Sequence, residues 1–262
     1  MPIFLGIIPA RYASTRFPGK PLALLGGKPM VQRVYERVAP LLDHVAVATD
    51  DERIRQALST LGANVVMTSA AHRSGTDRCC EALEILEQTL ARRFDVVINI
   101  QGDEPFIHPE QIEAIKRCFD DDAGGVSTTI ATLVKPFSPN DGYTAIENPN
   151  TPKVVVSNSG YAMYFSRSPI PYLRGEQERA NWPARHTYYK HIGLYAYRAH
   201  TLREITALPQ STLELAESLE QLRWLQNGYA IRVAVTEAET IGIDTPADLK
   251  RAEEFLKGMQ RP

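Results

Sequence analysis

Short apolar runs alternate with longer amphipathic stretches through the first half of the chain. Residues 3–9, 45–49, 64–67 and 96–100 are dense in Ile, Val, Leu and Ala, the pattern of strands buried on both faces. Between and after them, 30–39, 52–61, 77–90 and 109–119 repeat apolar residues at helical spacing. In the third of these, Cys79, Ala82, Leu83, Leu86 and Leu90 fall on one face, and Asp51 stands where the second needs an N-cap. A βα series of this kind predicts an α/β fold: three layers around a mostly parallel sheet.

The second half is less regular. After a strand at 126–133, residues 135–153 carry Pro136, Pro139, Pro149 and Pro152 and read as a long functional loop. Lys153-Val154-Val155-Val156 and residues 161–165 flank Ser157-Asn158-Ser159-Gly160, which predicts a hairpin forming a small antiparallel lobe. Residues 173–187 are polar and read as mobile. A strand at 190–197, helices near 200–207 and 212–226, a strand at 231–235 and a helix from Pro246 complete the pattern. The whole reads as one domain over 1–262, with the lobe at about 135–200 inside it and no internal repeat.

Composition narrows the function. The chain has 262 residues, 44% hydrophobic and 23% charged, enough for one large core. A formal charge of −2 and a pI near 6.3 give no global attraction to nucleic acid or to an anionic membrane, so any local basic cluster implies a small anionic ligand. The first apolar run is too short to span a bilayer and lacks a basic segment before it, which predicts a cytoplasmic protein. Three cysteines, Cys79, Cys80 and Cys118, suggest neither a disulfide framework nor a zinc site, and the six histidines form no short-spaced metal motif.

One such basic cluster follows the first strand: Pro9-Ala10-Arg11-Tyr12-Ala13-Ser14-Thr15-Arg16-Phe17-Pro18-Gly19-Lys20-Pro21. Arg11 and Arg16 can fork onto phosphate oxygens, Lys20 adds a point charge, and Gly19 permits close backbone approach, a combination suited to a triphosphate. The loop is not a P-loop, because Lys20 precedes Pro21, nor a dinucleotide fingerprint, because Gly-x-Gly-x-x-Gly is missing. Solvated basic turn chemistry is the plain alternative. The strand at 96–100 runs into Gln101-Gly102-Asp103-Glu104-Pro105, where a carboxylate at a strand tip suits magnesium and Gly102 leaves room for ligand, although the same residues also make a good turn. Asp244, in Gly242-Ile243-Asp244-Thr245-Pro246, stands just before the last helix, where its plain reading is an N-cap; either Thr245 or Asp244 could cap, and Pro246 suits the first turn. Paired with Asp103 and the cationic loop, Asp244 supplies what metal-assisted nucleotidyl transfer needs.

These segments, with His72-Arg73-Ser74-Gly75-Thr76-Asp77-Arg78, Tyr164-Phe165-Ser166-Arg167, His191-Ile192-Gly193-Leu194-Tyr195 and Leu219-Glu220-Gln221-Leu222-Arg223, resemble the 3-deoxy-manno-octulosonate cytidylyltransferase (CMP-KDO synthetase) family over nearly the whole chain. The resemblance implies a nucleotidyltransferase that joins CTP to the anomeric hydroxyl of an eight-carbon ulosonic acid for lipopolysaccharide synthesis, with Mg2+ as cofactor and a homodimeric assembly. It implies nucleotide contacts from Ala10, Arg11, Arg16, Lys20, Ser74, Gly75 and Gln101, metal ligation by Asp103 and Asp244, and a catalytic set of Arg11, Lys20, Asp103 and Asp244. Arg167, His191, Tyr195, Glu220 and Gln221 would surround the sugar. Spacing alone agrees that His191 and Tyr195 share a strand face, and core packing explains them equally well. A sialic acid or the 8-amino analogue of KDO is an alternative substrate, and a CTP-sensing protein without transfer is the alternative from another class.

Overall fold

The computed structural model describes residues 2–13, 17–120, 127–238 and 241–259. Two compact units emerge: one runs to Pro109 and takes up the chain's last helix, and the other spans Glu110–Ala238.

In the first unit, strand β1 (Phe4–Ala10) leads through a 3₁₀ turn at Lys20–Leu22 to the two-residue strands β2 (Leu24–Leu25) and β3 (Lys28–Pro29), which pair with each other. Then come α1 (Met30–Val38), β4 (His44–Thr49), α2 (Glu52–Leu58), β5 (Asn64–Met67), α3 (Gly75–Thr89) and β6 (Val96–Asn99). β1 pairs in parallel with β4 on one side and β6 on the other, and β4 with β5. Growth of the sheet therefore reverses between β1 and β6, and a parallel sheet opens its ligand crevice beyond the carboxyl ends of strands at such a point. The apolar runs mark the strands because both faces are covered: Ile7, Ile8, Ala46, Val47, Val97 and Ile98 are wholly buried.

Local chemistry sets the ends of these elements. The Asp51 carboxylate accepts from the Arg53 amide at 2.9 Å and starts α2 as expected. Leu90, expected on the buried face of α3, is instead 45% exposed, because the helix ends at Thr89 and Leu90 is its C-cap. The last helix, Pro246–Met259, sends Ala252 into a cluster with Leu25, Met30, Phe106 and Ile243.

The second unit comprises α4 (Pro109–Arg117), β7 (Ile130–Pro136), α5 (Gly142–Glu147), β8 (Lys153–Val156), β9 (Ala162–Ser166), α6 (Trp182–Arg185), β10 (Tyr189–Arg198), α7 (Ala199–Thr206), α8 (Thr212–Glu217), α9 (Gln221–Gln226) and β11 (Ile231–Val235). β7 pairs in parallel with β11 and antiparallel with β10, and the predicted β8–β9 hairpin forms, with β8 also joining the start of β10. Three expectations change. The 135–153 loop contains a 3₁₀ turn capped by Ser138 and then α5, because Ser138 and Asp141 exchange capping bonds. Residues 173–187 are fastened, because Trp182 and Tyr188 are buried with Phe137 and Ile146, and polar neighbours hide those anchors from any periodic pattern. The helix expected over 212–226 is two helices, broken where Ser218 takes a left-handed φ of 50°.

Candidate functional site

A cleft of about 290 Å³ in the first unit is lined by Ala10 and Arg11 from the end of β1, Lys20, Ser74 and Gly75 at the start of α3, Gln101 and Asp103 after β6, and Asp244. Seven nucleotide or metal residues named from the sequence beside Asp244 thus meet at the sheet's reversal point. Arg16 lies outside the described residues, as do Ser14 and Thr15.

Backbone contacts build this convergence. Gly19 has φ 72°, a conformation that favours glycine, and its amide bonds the Tyr12 carbonyl at 3.0 Å, so the loop closes on itself and delivers Lys20. The Tyr12 ring lies under the Arg53 guanidinium, 3.5 Å from its centroid, which roots the loop on α2. At Gly102 an added Cβ would stand 2.9 Å from the Pro9 carbonyl oxygen. Close approach of the β1 and β6 ends therefore already demands the glycine, which also lines the cleft. The amide of buried Ile243 donates to the Asp103 carbonyl at 3.0 Å, setting Asp244 beside Asp103.

Asp244 is not the cap of the last helix. Thr245 Oγ1 accepts from the Asp248 amide at 3.2 Å, and the Asp248 carboxylate accepts from the amides of Asp244 at 3.1 Å and Thr245 at 2.8 Å. Capping falls to Thr245 and Asp248, and the Asp244 carboxylate turns to the cleft. There Lys20 Nζ donates to Asp103 at 2.5 Å and to Asp244 at 3.2 Å. Glu104 is pushed up to about 8, first by burial and then by the charges of Asp103 and Asp244. Two carboxylates converging on one cationic atom, with a third acid reluctant to ionise nearby, fit a divalent cation. Magnesium characteristically takes one or two carboxylates and completes its shell with phosphate oxygens and water. Among the described residues no group of three or more His, Cys, Asp or Glu encloses a metal site.

Ser74 and Asp77 form a capping box at the head of α3, the Ser74 hydroxyl accepting from the Asp77 amide at 3.1 Å, so the cleft is faced by a helix N-terminus that favours anionic and acceptor groups. Three cleft residues escaped functional assignment from the sequence: His72, Arg73 and Arg78. Arg78 is buried and bonds Asp50 at 2.9 Å and Thr68 at 2.6 Å, tying together the segments that follow β4 and β5. His72 Nε2 contacts the Glu81 carboxylate, which also accepts from the Ser69 amide at 2.8 Å, and this holds the 69–75 loop against α3. The only early signal was their membership in the His72–Arg78 motif.

The sugar residues named from the sequence all lie in the second unit. His191 and Tyr195 stand four apart on β10, which in a regular strand would separate them by about 13 Å. A bulge between Ile192 and Tyr195 shortens the path, and their ring centroids are 5.2 Å apart. Phe165 packs edge-on against His191, and Trp224 of α9 does the same against Tyr195. Burial brings His191 down to about 3 and raises Tyr195 well above the phenol range, with Glu220 adding to the latter, so both are neutral at physiological pH. The Thr132 hydroxyl donates to the Leu194 carbonyl at 2.9 Å and therefore accepts from His191 Nε2–H at 3.1 Å, which fixes the tautomer. Glu220 accepts from Arg223 at 2.7 Å, and Gln221 is buried beside it. Arg167 bonds the carbonyls of Glu217, Pro149 and Ser218 at 2.6, 2.8 and 3.2 Å, so that among the described residues each terminal nitrogen keeps a second N–H.

Residues 5–240 match the family model described as cytidylyltransferase. The 3-deoxy-manno-octulosonate cytidylyltransferase of Phocaeicola vulgatus is 65% identical over 254 residues, 97% of each chain, and that of Bacteroides thetaiotaomicron is 63% identical over 97% of this chain and 98% of its own. The chain belongs to the 3-deoxy-manno-octulosonate cytidylyltransferase family. A solved CMP:2-keto-3-deoxy-manno-octonic acid synthetase complexed with CTP superposes with a TM-score of 0.84 at 41% identity, over 98% of this chain and 99% of that one. The same α/β fold recurs at 14% identity and a TM-score of 0.60 in a 4-diphosphocytidyl-2C-methyl-D-erythritol synthase from Anaerococcus prevotii. Like other members of its cytidylyltransferase family, the chain is a nucleotidyltransferase enzyme, and its mostly parallel α/β sheet agrees with the expectation from sequence.

Proposed function

We propose that this chain transfers CMP from CTP to the anomeric hydroxyl of 3-deoxy-manno-octulosonate, releasing pyrophosphate, with a magnesium ion held by Asp103 and Asp244. The observation that carries the reading is the Lys20 ammonium shared by those two carboxylates, in a cleft at the sheet's reversal point within a chain of this family. Arg11 and Lys20 hold triphosphate oxygens and offset the charge that gathers on the leaving group. Ser74, Gly75 and Gln101 take the cytidine, the helix N-terminus favouring its acceptor atoms. Arg167 receives the sugar carboxylate on its two remaining N–H groups, and His191, Tyr195, Glu220 and Gln221 bond the sugar's hydroxyls. The anomeric hydroxyl attacks the α-phosphorus: its proton passes to solvent, one P–O bond forms, and the bond to the bridging oxygen breaks as pyrophosphate leaves with the electron pair. No side chain is needed as nucleophile. When bound, magnesium supplies Lewis-acid activation of the hydroxyl and of the phosphoryl oxygens.

Cytoplasmic location, supply of lipopolysaccharide synthesis and a homodimer complete the reading. No helix among the described residues is long and apolar enough to cross a membrane. Within the sugar-binding lobe at 135–200, Val154 and Phe165 face inward while Met163 is 63% exposed, an apolar side chain a second copy would cover. Incubation with CTP, magnesium and the sugar should release pyrophosphate only when all three are present, with CMP-KDO identified by mass. Release with a sialic acid but not with KDO would overturn the substrate assignment.

A further inference from the structure

Lys153 opens β8 with its side chain wholly buried, an unusual place for an ammonium, which leaves water only when it is well bonded. Its Nζ donates to the carbonyl oxygens of Asn148 at 3.0 Å and Arg167 at 2.5 Å. From Nζ, ties run through Arg167 to the turn that carries Glu220 and Gln221, while the backbone at 152–153 reaches His191. Arg167 in turn grips the carbonyls of Glu217 and Ser218, the turn that launches α9 with Glu220 and Gln221. The Glu217 carboxylate reaches back, accepting from Ser166 Oγ at 2.7 Å and from the Arg167 amide at 2.8 Å. Along the backbone, Lys153 pairs with Ser166 on β9 and with Lys190 on β10, and the carbonyl of Pro152 accepts from the His191 amide at 2.9 Å. Tyr195 is joined through its contact with His191.

We propose that Lys153 is the positioning residue of the sugar half: it fixes the Arg167 backbone and the 148–150 turn, and through them the arrangement of Arg167, Glu220 and Gln221, without touching the substrate. The inference rests on assigning those three residues to the sugar. Burial, set against the nearby Glu217 charge, brings the Lys153 ammonium down to about 8, and the neutral amine keeps N–H donors for both carbonyls. Replacing Lys153 with Met keeps the apolar stem and removes both part-buried bonds, so the Asn148 and Arg167 carbonyls lose this partner and the segment bearing Arg167 shifts.

The test measures KM for CTP and for KDO separately in Lys153→Met, beside Arg167→Ala. Lys153→Met should raise KM for KDO about tenfold or more, the scale of a lost charge-assisted hydrogen bond, with KM for CTP unchanged and kcat much less affected. A lower melting temperature with both KM values unchanged, while Arg167→Ala raises KM for KDO, would overturn the role of Lys153 and leave the sugar assignment standing. Arg167→Ala with an unaltered KM for KDO would instead overturn the sugar assignment, and the proposal with it. Should Lys153→Met fail to fold, Glu217→Gln loosens the same knot from the α8 side. The same selective rise is then expected, and equal KM values would overturn the proposal.

Discussion

Lys20, Asp103, Glu104 and Asp244 concentrate the first unit's electrostatics into one spot. Two of these acids share the Lys20 ammonium, and the most costly of the three is Glu104, whose carboxyl is pushed up to about 8 by burial and by its two acidic neighbours. Between its ordinary value of 4.5 and about 8, the folded protein keeps a proton that the unfolded chain gives up. Stability from this residue is therefore present at low pH and is lost as pH rises through that window. In a metal-free buffer, Glu104→Gln should melt progressively higher than the parent as pH increases from about 5 to about 8, because the neutral amide never has to ionise. A difference in melting temperature that stays constant across the window would count against this coupling. The acidic motif itself was legible in the sequence, since a carboxylate after an apolar strand stands out. The Lys20 contact was not, because it joins residues far apart in the chain.

Helix ends and strand irregularities decide where the functional side chains point. Thr245 and Asp248 cap the last helix, which frees Asp244 for the cleft. Thr245→Ala should cost about 1 kcal/mol of stability, the usual value of a lost N-cap, and also lower turnover, because the segment carrying Asp244 loses its anchor. Chemical denaturation and a steady-state assay check both parts, and an unchanged turnover would separate the cap from the site. The sequence leaves the cap open between Thr245 and Asp244, because nothing local distinguishes them. The strands of the first unit were legible as unbroken apolar runs, since burial on both faces removes polar residues from them. The break at Ser218 was hidden, because the apolar spacing of a helix continues through it. The β10 bulge was hidden as well: period two placed His191 and Tyr195 on one face, but only the inserted residues bring their rings into contact.

At the scale of the molecule, the proposed reaction gives each compact unit one part of the chemistry. The first presents cations, a helix N-terminus and two convergent carboxylates, a set suited to a nucleoside triphosphate and a metal; the second presents aromatic and amide groups with the Arg167 guanidinium and the Glu220 carboxylate, suited to a hydroxylated acid. The overall class was readable from the βα alternation, whereas the division into units and the internal wiring of the second depend on pairings between distant residues. In the proposed reaction Asp103 and Asp244 form the transfer centre. Pyrophosphate release from CTP, magnesium and KDO by Asp103→Asn and by Asp244→Asn, each first shown by circular dichroism to be folded, tests it most directly. Each variant should lose turnover by about 10²-fold or more, comparable to removing a preorganised oxyanion donor. Parental turnover in both folded variants would contradict the claim.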